Sequence, residues 1–125
     1  METSGDLVRF FMAMRDTLKL YHWQTRSYAR HKASDELLDR LDTLIDRFVE
    51  VFSGRYARPQ YGGGFTCKVR ELTEDTAERI LKRYADYLRD EVPKHLHPDE
   101  DTDLLTVRDE MLAAINRASY LFTLH

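Results

Sequence analysis

The sequence predicts an all-α fold, a bundle of four helices, on three observations. Apolar residues recur at three- and four-residue intervals in four separate stretches. Residues that start and stop helices flank those stretches, and one of the three connections is much longer than the others. With 125 residues and 42% hydrophobic content, the chain has enough material for one core and too little for two, so a single domain over 1–125 is expected.

The first helix is predicted over about 6–23, where Leu7, Phe11, Met14, Leu18 and Tyr21 make one stripe and Ser4 or Asp6 supplies the N-cap. The second, over about 34–53, has the widest apolar face, with Leu37, Leu38, Leu41, Leu44, Ile45, Phe48 and Phe52; Ser34 reads as its start and Gly54 as its stop. The third, over about 73–92, opens on Glu74 and Asp75, carries Ile80, Leu81, Tyr84 and Leu88, and stops before Pro93. The fourth, over about 103–124, turns Leu104, Leu105, Met111, Leu112, Ile115, Ala118 and Phe122 inward.

Some 18 residues, GRYARPQYGGGFTCKVRE, join the second and third helices, whereas the other two connections are about ten residues each. A helix of about 20 residues is about 30 Å long, and about ten extended residues return along it. The middle connection is long enough for that. Two antiparallel hairpins joined by one long crossover between helices two and three form the ferritin-like topology; an up-and-down bundle with one long loop shares the same pattern. The GGG at 62–64 lacks the following helix with Lys-Ser or Lys-Thr that a phosphate loop requires, so its expected role is flexibility.

Composition excludes several classes. Charged residues are 33% of the chain, yet the net charge is only −3, so neither a global basic field for nucleic acid nor an acidic, disordered chain is indicated. The single cysteine, Cys67, permits no internal disulfide framework and reads as a small loop or core residue. No apolar run reaches the roughly 20 residues of a membrane span, and METSGDLVRF lacks the features of a signal peptide, which leads to the expectation of a soluble, cytoplasmic protein.

The chemistry concentrates on the second helix. Asp35, Asp39, Asp42, Asp46 and Glu50 follow one another at intervals of three or four, so at about 100° per residue they share one strip roughly 80° wide. A carboxylate run on a helix is ordinarily a solvated face. Here Arg40 and Arg47 point away from the strip, and unrelieved like charge beside an apolar border suggests a cation. His22 continues the inward stripe of the first helix by one turn, where a lone histidine is more commonly a hydrogen-bonded core residue. It has company, since His31 with Asp35, and Asp46 with Glu50, are i, i+4 pairs able to share an ion. Asp35 and Asp46 are separated by eleven residues, about 16.5 Å of helix, so they cannot touch one ion or a close ion pair within one chain. Two chains packed across a twofold axis with antiparallel second helices would bring the His31 and Asp35 end of one to the Asp46 and Glu50 end of the other, making two equal sites.

These residues resemble the mini-ferritins of the Dps type, the DNA-binding proteins from starved cells. The similarity lies mainly in residues 10–54: His22 with Trp23 at the end of the first helix, then His31, Asp35, Asp46 and Glu50 in the family's order. The resemblance implies a ferroxidase centre between subunits, with His22, His31 and Asp35 from one chain and Asp46 and Glu50 from the other. It also implies a homodimer or a dodecameric shell, and oxidation of non-haem Fe(II) by hydrogen peroxide or dioxygen for iron sequestration or oxidative protection. Carboxylate and imidazole ligands also suit manganese or zinc. Trp23 reads as a packing residue, although in that family a tryptophan beside the centre can quench radicals.

The sequence departs from the family in three ways. Its histidines are nine residues apart, closer than the family's, with QTRSYAR lacking the usual glycine. The chain is shorter than most Dps proteins, and its N-terminus has no lysine-rich arm, so nucleic-acid binding is not supported. The shortened HxxTxSYAxHKA pattern also resembles small proteins encoded by phages and large DNA viruses, which opens a virion location and a second reading: a non-catalytic helical assembly or virion component that keeps the fold and dimer interface. KHLHPDED, with His95 and His97, reads as a solvated loop, with a second metal or entry site as the alternative.

Overall fold

The computed structural model describes residues 2–124. Among these, four α-helices and no strand form a four-helix bundle: α1 (Ser4–Gln24), α2 (Tyr28–Arg55), α3 (Glu74–Asp90) and α4 (Thr102–Leu121), with a 3-10 turn, Val92–His95, between α3 and α4.

Local chemistry sets the helix starts. Thr3 caps α1 in a reciprocal box with Asp6, so neither Ser4 nor Asp6 is the N-cap. Thr73 caps α3 with Thr76 in the same way. Pro93 opens the 3-10 turn, where its missing N–H costs nothing.

The start of α2 corrects the prediction. Ser27, not Ser34, is the cap, and its hydroxyl accepts from the Arg30 amide at 3.2 Å. The turn from α1 therefore comprises only Thr25, Arg26 and Ser27, and α2 has 28 residues. Ser34 lies fully buried inside the helix, where its hydroxyl donates to the His31 carbonyl at 3.1 Å. Gly54 does not stop α2 either; it lies within the helix, and the chain leaves at Tyr56.

Contacts fix the helix directions. Phe11 of α1 meets Phe48 late in α2, and His22 meets Ser34, so α1 and α2 are antiparallel. Phe10 stacks on Tyr87 near the end of α3, while Tyr21 donates to Glu74 at its start. Arg55 at the end of α2 reaches Asp103 at the start of α4. Arg30, early in α2, holds Glu74 and Glu78, so α2 and α3 start at the same end of the bundle. Segment 56–73 returns the chain beside α1: Gln60 lies against Gly5, Cys67 beside the Arg9 carbonyl, and the Arg70 amide donates to Thr17 at 3.2 Å. Gly62, Gly63 and Gly64 all have positive φ, from 58° to 138°, a backbone region closed to most side chains, so these glycines shape a specific turn.

The core runs the length of the bundle through Leu7, Phe11, Leu18, Leu41, Phe48, Leu81, Met111 and Phe122. Polar clamps close both ends. At one, the Arg30 guanidinium donates to the Phe122 and Glu74 carbonyls and to Tyr21 Oη, joining all four helices. At the other, buried Asp101 accepts from the Tyr56 hydroxyl and the His97 amide and pairs with Arg55 at 3.1 Å. That use of its carboxylate explains why Asp101 precedes α4 without a side-chain capping bond. No helix among the described residues is long and apolar enough to cross a membrane.

Candidate metal-binding face on α1 and α2

The three-residue turn after α1 brings His22 and His31 together. Their rings stack with centroids 3.9 Å apart and planes 15° from parallel. His22 Nδ1 lies 2.9 Å from the His31 carbonyl, and His31 Nδ1 lies 2.8 Å from the His22 carbonyl. A carbonyl oxygen only accepts, so each Nδ1 carries a proton, and in the neutral ring this tautomer leaves the lone pair on Nε2. Ser34 reinforces the lock, with its Oγ 3.1 Å from His22 Nδ1. Orienting an imidazole through one nitrogen while leaving the other free is the arrangement that metal-ligating histidines use. The shortened spacing between the histidines is thus accommodated by a reciprocal pairing in which each ring is fixed by the other residue's backbone.

His22 is buried, and its Nε2 faces Asp35 Oδ1 at 3.9 Å, too far for a hydrogen bond. Asp35 is exposed, with 66% of its side chain open to solvent. His22 thus has His31 stacked on it and Asp35 near its free edge, both from the first turns of α2. Asp46 and Glu50 remain apart on the same unbroken helix, with Asp46 about 16.5 Å beyond Asp35 by helical rise, and both are exposed. Among the described residues, no three His, Cys, Asp or Glu side chains converge closely enough to enclose an ion. Imidazole and carboxylate are donor types suited to iron, manganese or zinc.

The acidic strip differs from its sequence reading at one position. Arg15 of α1 grips Asp42 with a forked pair, the second contact being 3.3 Å, so the middle of the strip is relieved by a cation from the neighbouring helix. Arg15 was missed because it lies 27 residues from Asp42. Met12, Arg15, Lys19 and Trp23 share one side of α1 beside the strip. Trp23 is 67% exposed, with Lys19 over its ring at 5.2 Å, so it packs into no core within the chain. His95 lies 3.0 Å from Glu2, whereas His97 lies near Tyr56, and the two histidines form no metal cluster among the described residues.

Fold and face together define a four-helix bundle protein with an open imidazole and carboxylate face across its first two helices. Residues 22–122 match DUF5856, a family of unknown function, and the chain belongs to that family. A protein of Enterobacteria phage T4, described as an uncharacterized 14.6 kDa protein in the mobD-ri intergenic region, is 36% identical over 55 residues. That match covers 44% of this chain and 43% of the phage protein, so the chain spans less than half the length of this relative. No solved structure matches the chain at a significant level.

Proposed function

We propose that the chain is a ferritin-like protein of the mini-ferritin type, which binds Fe(II) as substrate between two copies of itself and oxidises it. The observation that carries this reading is the reciprocal His22 and His31 lock, which orients both rings through Nδ1 and turns His22 Nε2 toward Asp35. Asp46 and Glu50 of a second copy, packed with its α2 antiparallel, would complete each site. Exposed Met12 and Trp23 beside the strip supply apolar surface for such a contact. In the reaction two ferrous ions each give up one electron. The O–O bond of hydrogen peroxide accepts the pair with two protons and yields two waters. The histidines and carboxylates hold the ions, and the carboxylates offset the charge that grows as each ion becomes ferric.

Complementation tests both claims. Asp35→Ala and Glu50→Ala should each abolish tight Fe(II) binding, while mixed dimers of the two should recover one intact site of two. Peroxide added to the anaerobic ferrous complex should then raise ferric absorbance well above the buffer rate. Tight binding by a strictly monomeric single variant would reject the shared site. Equal oxidation by wild type and an Asp46→Ala, Glu50→Ala double variant would reject catalysis.

A second reading, a non-catalytic helical assembly or virion component, is favoured by the Arg15 and Asp42 pair, which relieves part of the strip without any ion. It fits a protein that forms the dimer face yet shows no turnover in the same assay.

A further inference from the structure

On the opposite side of α1 from the acidic strip, the crossover and α3 flank an open groove of about 560 Å³. Lys68 and Arg70 of the crossover and Arg79 and Arg83 of α3 line it, with Val69, Leu72 and Ile80 as apolar wall and Glu71 as the one carboxylate in the lining. Lys68, Arg70 and Arg83 also border an adjoining space of about 290 Å³ that reaches Phe10 and Tyr84.

Among the described residues eight of the fourteen arginines pair with a carboxylate; Arg70, Arg79 and Arg83, like Arg26, Arg40 and Arg58, do not. Arg9, Arg15, Arg30, Arg47, Arg55 and Arg89 each pair with an aspartate or glutamate. Among the described residues, none of Lys68, Arg70, Arg79 and Arg83 lies within 4.0 Å of a carboxylate, and none of their side-chain nitrogens donates a hydrogen bond to the protein. Partners are available in sequence. Asp75 stands four residues before Arg79, and Asp86 three after Arg83, yet Asp86 pairs with Arg89 and Asp75 with neither. Arg79 and Arg83 are themselves an i, i+4 like-charge pair, which costs a helix a few tenths of a kcal/mol. In a chain with 22 acidic and 19 basic side chains, four cations gathered around one groove without a protein partner leave a place for an external anion.

We infer that this groove binds a small oligophosphate, with two or more phosphate groups held by Lys68, Arg70, Arg79 and Arg83. Volume decides for a small ligand over a nucleic-acid strand: the groove is open to solvent, but its size is that of a small-molecule site and it is bounded by one loop and one helix. Guanidinium forks match phosphate oxygens in pairs. The shared chemistry has two sources, inorganic oligophosphate and the phosphate tail of a nucleotide, and Val69, Leu72 and Ile80 offer a surface that only the nucleotide would use.

Titration calorimetry on the full chain, at low salt and without divalent ions, would use orthophosphate, pyrophosphate, AMP and ATP as probes. Pyrophosphate should bind saturably and at least about tenfold more tightly than orthophosphate, and Arg79→Gln or Arg83→Gln should each weaken it by about tenfold. Arg89→Gln and Arg117→Gln remove the same charge elsewhere and should change it less than about twofold. Lys68→Gln, on the crossover, gives a second test that leaves α3 intact. ATP binding more tightly than pyrophosphate would identify the nucleotide, and equal affinities the inorganic source. No saturable oligophosphate binding, equal losses in the control variants, or binding of a single-stranded oligonucleotide alone would overturn the proposal. So would salt-sensitive association of copies through these residues without pyrophosphate binding.

Discussion

Replacing Arg30 by alanine should be among the most damaging single changes outside the apolar core. Its guanidinium, with only 12% of the side chain exposed, donates at 3.0 Å to the Phe122 carbonyl, at 2.6 Å to the Glu74 carbonyl and at 3.1 Å to Tyr21 Oη. It also lies 5.1 Å from the centre of the Phe122 ring. Tyr21 keeps Glu74 as a partner in the variant, and the Glu74 carbonyl, on the first turn of α3, keeps its helical one, but the Phe122 carbonyl loses its partner and three bonds from a charged donor are gone. An orphaned, partly buried polar group costs about 1–3 kcal/mol, and the lost cation–π contact adds about 0.5–1 kcal/mol. Water that enters the vacated space satisfies part of the loss, which leaves a destabilisation of about 3 kcal/mol. At about 2.1 cal/mol/K per residue, 125 residues give an unfolding entropy of about 0.26 kcal/mol/K, so Tm should fall by about 11 °C. Arg30→Lys, with one ammonium in place of a fork, should lose about half as much. Scanning calorimetry checks both values. Because Arg30 precedes His31 on the first turn of α2, imidazole nitrogen NMR should also show the His31 Nδ1 proton signal weakening in the alanine variant. A drop under about 3 °C, or lysine equal to arginine, would refute the claim that this clamp holds the four helices together.

Asp101 predicts a pH dependence. Burial opposes its ionisation, but the Tyr56 hydroxyl, the His97 amide and Arg55 outweigh that effect and hold its pKa below the ordinary 3.8. A lowered folded pKa contributes stability that is complete above the unfolded value and disappears as pH falls through the folded one. The Tm gap between wild type and Asp101→Asn should therefore be full above about pH 5 and close below about pH 4; a gap that is constant with pH would show that the charge is not involved. Two glycines should respond oppositely. A Cβ at Gly5 would sit 2.1 Å from the Gln60 carbonyl oxygen, so Gly5→Ala should cost about 1–3 kcal/mol in thermal melts. A Cβ at Gly54 meets nothing within 4 Å, so Gly54→Ala, inside α2, should stabilise by about 0.5–1 kcal/mol. If copies pair through the α1 and α2 face, Arg15→Ala should raise the dimer dissociation constant severalfold in sedimentation runs at low salt, since it leaves Asp42 uncompensated among like charges.

Helix number and the inward faces were legible in the residue order because a helix imposes its own period on whatever it must bury. Leu7, Phe11, Met14, Leu18 and Tyr21, read as one stripe, are all buried, as are Leu37, Leu41, Leu44 and Phe48 on α2. The separation of Asp35 from Asp46 and Glu50 needed only helical rise, whereas the place of His31 on α2 did not follow from a helix read as starting at Ser34. Tertiary structure alone decided the rest. Ser27 and Ser34 are both competent caps in sequence, and Ser34 lies inside α2, where the neighbouring histidine ring of α1 contacts its hydroxyl. The ring-on-ring lock of His22 and His31 depends on carbonyls presented from another helix. The roles of Arg15, Arg30 and Asp101 left no mark in the residue order, since Asp42, the Phe122 carbonyl and Tyr56, which they hold, are 27, 92 and 45 residues away in the chain. Periodicity reports only what each helix does for itself; a side-chain hydrogen bond between helices becomes visible only when packing has set which ends and faces meet.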